Sequence, residues 1–221
     1  MKKLFTLLFI PIISLSQGEQ RSADGTATDQ DGNTFEWINY GYFDFSIENA
    51  KVITYRDGTA IPQVTDPNEW ANLTTGAWKY VINNNTETIV YNGYAVSGKH
   101  DNEDSTPNKK LAPEGWVVPG EGGIDHYYVL FEYLIENGYT NDGTSGNDKI
   151  AKSMSSKSGW TYTENCGSPG NGEFLNNRSG FNAKPIGFIE DSGYDNGVGG
   201  TAAFWSMPPQ NGSSGGNIDI Y

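Results

Sequence analysis

Only one stretch of this 221-residue chain, from about Asp125 to Asn137, sets its apolar residues at helical spacing. Tyr127, Leu130, Phe131 and Leu134 fall at i, i+3, i+4 and i+7, one stripe of a helix. Asp125 stands where an N-cap would accept a backbone amide, Ile124 can staple onto Val129, and Gly138 is placed to end the helix. A chain with one long helix cannot alternate helices with parallel strands. The sequence therefore predicts an α+β domain rather than a parallel α/β sheet. Two shorter helices are expected. One follows the capping box Asp66-Pro67-Asn68-Glu69 and runs through Leu73; the other spans Asp148 to Ser155. Strands are expected around Phe35–Ile38, Tyr42–Ile47, Val52–Tyr55, Trp78–Ile82, Thr88–Val96, Ala183–Ile189 and Ala202–Met207, where β-branched and aromatic residues cluster between turn signals.

The segments between these elements are long, and the chain carries 28 glycines, so much of it must be loop. Aromatic residues make up 13% of the chain, which separates it from disordered sequences that have too few rings to bury. The expected fold is thus a set of small elements held by aromatic side chains. Asp29-Gln30-Asp31-Gly32-Asn33 reads as a turn. Its likeness to a calcium loop ends at Ala27, which stands where the first ligand of such a loop would be if Gly32 were its sixth residue.

At the N-terminus, Lys2 and Lys3 precede an apolar run from Leu4 to Ile13, and Ser14-Leu15-Ser16 supplies small residues for cleavage. This is the pattern of an export signal over residues 1–16, followed by a flexible polar lead-in over 17–28 and one domain over 29–221. The run is too short and too interrupted by Pro11 to span a bilayer, which takes roughly 20 apolar residues. No membrane span is expected, and the protein is read as secreted or held at a bacterial cell surface. The net charge of −13 argues against nucleic-acid binding, which needs a basic face for phosphates.

Candidate chemistry is sparse. Cys166 is the single cysteine, so no intrachain disulfide can form, and His100 and His126 have no evident route to it. His126, at the first turn of the main helix, reads as a surface residue. One cysteine and two scattered histidines do not make a zinc site, and Glu132 and Glu136 mark a solvated helix face. Asp191, Asp195 and Asn196 form a candidate calcium set, and Asp101, Asn102 and Asp104 a second. Trp78, Trp116, Trp160 and Trp205 could stack on sugars or fill the core; Trp116 and Trp205 are the candidate ligand-binding pair. No residue qualifies as catalytic.

A series of segments resembles one family. They are Asp29-x-Asp31-Gly32-Asn33-x-Phe35, Thr54-Tyr55-Arg56-Asp57-Gly58-Thr59-x-Ile61-Pro62, Trp70 to Trp78, Tyr91-Asn92-x-Tyr94-Ala95-Val96, Leu111-Ala112-Pro113-x-Gly115-Trp116-x-Val118-Pro119, Lys149 to Lys152, Ser179 to Ala183 and Phe204-Trp205-Ser206. In this order they resemble the Fibrobacter succinogenes major paralogous domain, abbreviated FISUMP. The resemblance implies a secreted or surface protein without an established activity. It also implies a C-type lectin-like fold, similar to formylglycine-generating-enzyme-like domains, with a small twisted antiparallel sheet, two or three helices and long Gly/Asn-rich loops. Departures from the family pattern are Gly93 for Trp, Val117 for His, Met207 for Ser, and Lys79 and Ala112 where members carry Cys. Further aromatic strands are expected after Tyr221, so the domain reads as C-terminally incomplete. The functional expectation is a secreted, non-catalytic binding or surface-interaction domain, with a polysaccharide or a surface protein as partner. The alternatives are an extracellular enzyme on the same fold, or a non-functional truncated paralogue.

Overall fold

Asp29 folds the 29–33 turn around its own carboxylate. Oδ1 accepts from the amides of Asp31 (3.0 Å) and Asn33 (2.9 Å), which leaves Gly32 in the left-handed region at φ 84°. The turn joins strand β1 (Gly25–Thr28) to β2 (Thr34–Asn39), and β3 (Asp44–Ser46) completes a three-stranded antiparallel sheet. The computed structural model describes residues 20–144, 146 and 149–207, and the backbone alone of 216–220. The expected export signal over 1–16 lies outside those residues. The expected lead-in over 17–28 ends in a strand instead: Gly25 to Thr28 pair residue by residue with Trp37 to Thr34. Small residues suit this edge, since a Cβ at Gly25 would meet the Trp37 ring at 2.6 Å.

The architecture is α+β. In place of one sheet, the described residues form four small antiparallel pieces. Besides the first sheet they are β4 (Trp78–Asn83) with β5 (Thr86–Tyr91), β6 (Phe188–Ile189) with β7 (Asp195–Asn196), and β8 (Ala202–Ser206) with β9 (Gly216–Ile220). Val52–Tyr55 forms no strand, only a single bridge between Thr54 and Ala60. Four α-helices are described, three of them short. Helix α1 (Pro67–Ala71) is capped by Asp66, whose Oδ1 accepts from the Glu69 amide at 2.9 Å. Helix α2 (Gly93–Ser97) replaces the second half of the strand expected over Thr88–Val96, because Asn92 caps its start and Gly98 ends it at φ 81°. Helix α3 (His126–Glu136) is the one long helix, capped by Asp125 through the Tyr128 amide at 2.9 Å. Helix α4 (Ala151–Met154) keeps only a few residues of the expected 148–155 helix.

Aromatic rings run through the core among aliphatic side chains. The α3 stripe packs Tyr127, Leu130 and Leu134 against Ile38, Tyr40 and Phe45 from the first sheet and against Trp160, Phe181 and Ala202. A second cluster gathers Val52, Tyr55, Ile61, Trp78, Ala95, Val96 and Leu111. Two of the buried indoles keep a partner: Trp78 Nε1 donates to the Ile61 carbonyl (2.9 Å) and Trp160 Nε1 to the Ser156 carbonyl (3.1 Å). Tyr40 similarly donates to the Ser179 carbonyl at 3.0 Å.

Tyr55 departs from this pattern. Its ring is fully buried, its hydroxyl finds no partner, and a Cβ at Gly76 would fall 2.1 Å from that oxygen. Burial pushes its phenol from 10.0 up to about 12, since the phenolate would lose its water. The neutral form is favoured on folding, so the contribution is complete below pH 10 and is lost as pH rises toward about 12. Tyr55→Phe removes an unsatisfied hydroxyl at little change of shape. We expect it to leave stability unchanged or raise it by about 1 kcal/mol, and to flatten the alkaline loss. Urea unfolding at pH 7 and across the alkaline range measures both; destabilisation by more than about 1 kcal/mol at pH 7 would show that the hydroxyl has a partner after all.

Candidate functional site

A cleft of about 1610 Å³ opens between the three-stranded sheet, the 111–119 loop, α2 and the end of β8. Segments far apart in sequence build it, and each is fixed by backbone hydrogen bonds.

The 111–119 loop is held from outside by Arg56. Its Nε donates to the Ala112 carbonyl (2.8 Å), and Nη2 to those of Pro113 (2.7 Å) and Trp116 (2.9 Å). Gln30, from the first turn, joins the same loop to the 54–56 segment by donating to the carbonyls of Thr54 (2.7 Å) and Leu111 (3.1 Å). At the far end the Pro119 carbonyl accepts the Met207 amide at 2.7 Å. Gly120 must follow with no side chain, since a Cβ there would lie 2.2 Å from the Met207 carbonyl oxygen. The loop is thus pinned to β8 and to the 56 turn together.

His126 is part of this fastening and not a surface residue. It is buried, its Nδ1 accepts the Gly120 amide at 3.0 Å, and its ring packs 4.7 Å from Phe43. The spacing that put it in the first turn of α3 gave no sign that the preceding loop folds back over that turn.

Two tryptophans reach the cleft from segments far apart in the chain. Trp116 is half-buried, with its ring edge-on to Phe35 at 5.0 Å. Trp205 remains 39% exposed and donates from Nε1 to the Tyr91 carbonyl at 2.9 Å. Its ring lies over Gly93, where even a Cβ would touch it at 3.4 Å. The missing side chain at 93 is therefore the space Trp205 occupies. Tyr94 and Val117 stand on the same cleft, each more than a third exposed. Trp78 and Trp160, by contrast, are core.

The candidate calcium residues are not gathered into one set. Asp195 forms an ion pair with the buried Lys79 (3.0 Å), whose amine also donates to the Gly193 carbonyl (2.8 Å) and sits 5.3 Å over the Trp70 ring. Asn196, the next residue on β7, faces the other way along the strand and donates to Glu190. Asp191 is exposed on the cleft. In the second candidate set, Asp101 pairs with His100 at 3.0 Å and its carboxylate accepts the Glu103 amide at 3.1 Å. Among the described residues no three His, Cys, Asp or Glu side chains converge as metal ligands. Cys166 is exposed in the loop following Trp160. The neighbouring Lys152 has its amine pushed down by burial and donates to the carbonyls of Ser168 (3.3 Å) and Asn171, closing that loop.

The carboxylates that line the cleft are mostly engaged by the protein. Glu48 accepts from Lys51 (2.6 Å) and from the Glu36 amide (3.2 Å), Asp44 from Asn39 (2.7 Å), and Glu190 from Ser192 (3.2 Å) and Asn196. Hydrogen bonding to Lys51 holds the Glu48 carboxyl below its usual range. Such a cleft can hold a ligand against aromatic faces and accept hydrogen bonds at its rim.

A family model described as the Fibrobacter succinogenes major domain matches residues 38–220. No curated protein and no solved structure matches the chain.

The Arg56 fork makes a definite expectation. Arg56→Lys keeps the charge but delivers one ammonium where three carbonyls were bound, and we expect it to cost about 1–3 kcal/mol in urea unfolding. A loss no larger than that of Lys51→Ala, whose pair is exposed, would show that the fork does not hold the loop.

Proposed function

The chain belongs to the Fibrobacter succinogenes major domain family, and from that premise we propose that it is an exported, non-catalytic binding domain whose cleft takes a carbohydrate. The observation that carries this reading is Trp205. An indole left 39% exposed, with its nitrogen already engaged by the Tyr91 carbonyl, offers a fixed apolar face rather than a hydrogen-bonding edge. Fixed aromatic faces suit the C–H faces of sugar rings, and the ordering entropy is already spent in the free protein. Trp116, Tyr94 and Tyr42 line the same cleft and add further aromatic surface to it. The lectin-like architecture belongs to this reading too: small antiparallel pieces carrying long loops are common to both. Export rests on the Lys2-Lys3 and Leu4–Ile13 pattern. Among the described residues no helix is long and apolar enough to cross a membrane.

A ligand that binds only the folded state raises its melting temperature by mass action. At about 100 times the Kd the gain is about 2.7 kcal/mol, or roughly 5–10 °C for a domain of this size. We expect a shift of that order with at least one member of a panel of plant and bacterial polysaccharides. Trp205→Ala should abolish it while the melt stays cooperative. A cooperative melt that no polysaccharide moves would turn the search to a surface protein, and turnover of any panel member would favour the enzymatic alternative.

A further inference from the structure

We infer that the cleft selects uncharged, hydroxyl-rich glycan chains and rejects acidic ones; this rests on the carbohydrate reading above and narrows it. Five carboxylates line the cleft, those of Asp29, Asp44, Glu48, Glu190 and Asp191. Among the described residues the one ammonium that lines it is Lys51, which is paired with Glu48 at 2.6 Å. No cationic side chain is left over to receive a uronate or a sulfate. Arg56, which holds the loop, is not among the residues that line the cleft, and its donors are engaged by three main-chain carbonyls and by Glu114.

The sign of the field has two consequences. Carboxylate oxygens with spare lone pairs accept hydrogen bonds from sugar hydroxyls, and charge-assisted bonds of this kind are about twice as strong as neutral ones. Glu190 and Asp191, at the turn between β6 and β7, supply such acceptors on the same cleft as the Trp205 face. An acidic polymer meets the opposite situation. It would bring a row of charges into a cleft already anionic, on a protein of net charge −13, where the field is screened only over a length of about 8 Å at 0.15 M salt. The aromatic faces do not discriminate between these polymers; the carboxylates do.

The test compares polymers that share a backbone and differ in charge. Hydroxyethylcellulose and fully methyl-esterified homogalacturonan are set against carboxymethylcellulose and polygalacturonate in affinity electrophoresis and titration calorimetry, from 20 mM to 1 M NaCl. We expect a neutral polymer to bind at least tenfold more tightly than its acidic counterpart at 20 mM. The gap should narrow as salt rises, and it should narrow at low salt in the double variant Glu190→Gln, Asp191→Asn. Acidic polymers that bind as tightly as neutral ones at 20 mM overturn the inference and leave the carbohydrate reading standing. A gap that persists unchanged at 1 M also overturns it, since the selection would then come from shape. Binding of neither kind overturns both readings.

Discussion

The guanidinium of Arg56 reaches three main-chain carbonyls of one loop, and much of the molecule depends on that fork. A planar group with donors in fixed directions can satisfy several carbonyls at once, and here Nη1 still lies 3.5 Å from the exposed Glu114 carboxylate. Here it converts a Pro- and Gly-containing segment into a rigid wall. Gln30 adds a second bridge from the first turn, and the Met207 amide a third from β8. Three regions that share no strand pairing are thereby locked into register. The cleft is what remains between them.

A second constraint is the use of cations where a larger domain would use aliphatic packing. Lys79 is buried, neutralised by Asp195 and laid over Trp70, and it fastens the β6–β7 turn to β4. Removing the exposed Asp195 carboxylate leaves the buried Lys79 ammonium without its counter-charge, so the arrangement is specific rather than generously stabilising. Lys152 plays a similar part for the loop around Cys166, with main-chain carbonyls as its acceptors. With four small sheets among the described residues, the fold adds rings and charged groups aimed at backbone oxygen to its aliphatic core.

What could be read from the sequence follows from how locally each feature is specified. Helix α3 was legible because its stripe, its Asp125 cap and its Gly138 terminator all lie within fifteen residues or so and agree. Helix α1 and the 29–33 turn were legible for the same reason. Helix α2 was obscured by Tyr94 and Val96, which favour strands; only Asn92 and Gly98 at its two ends pointed to a helix. The α+β class and the family segments could be read from the chain, whereas the division into separate sheets could not, since it is decided by which loops fold across which edges. Trp116 and Trp205 could be named as candidates, but their convergence on one cleft depends on the Arg56 fork and the Met207 amide, both contacts between distant segments. The burial of His126 and the pairing of Asp195 with Lys79 are invisible for that same reason.

Because Arg56 and Gln30 grip carbonyl oxygens, the side chains of Ala112 and Val117 hardly enter the forces that shape the loop. Every residue type presents the same carbonyl. A gene duplicate could therefore rewrite the rim at Ala112 or Val117 and keep the wall behind it intact, provided the turn at Gly115 kept its left-handed residue. Scaffold and surface are inherited under separate rules, which lets one backbone diversify into many recognitions by point substitution alone.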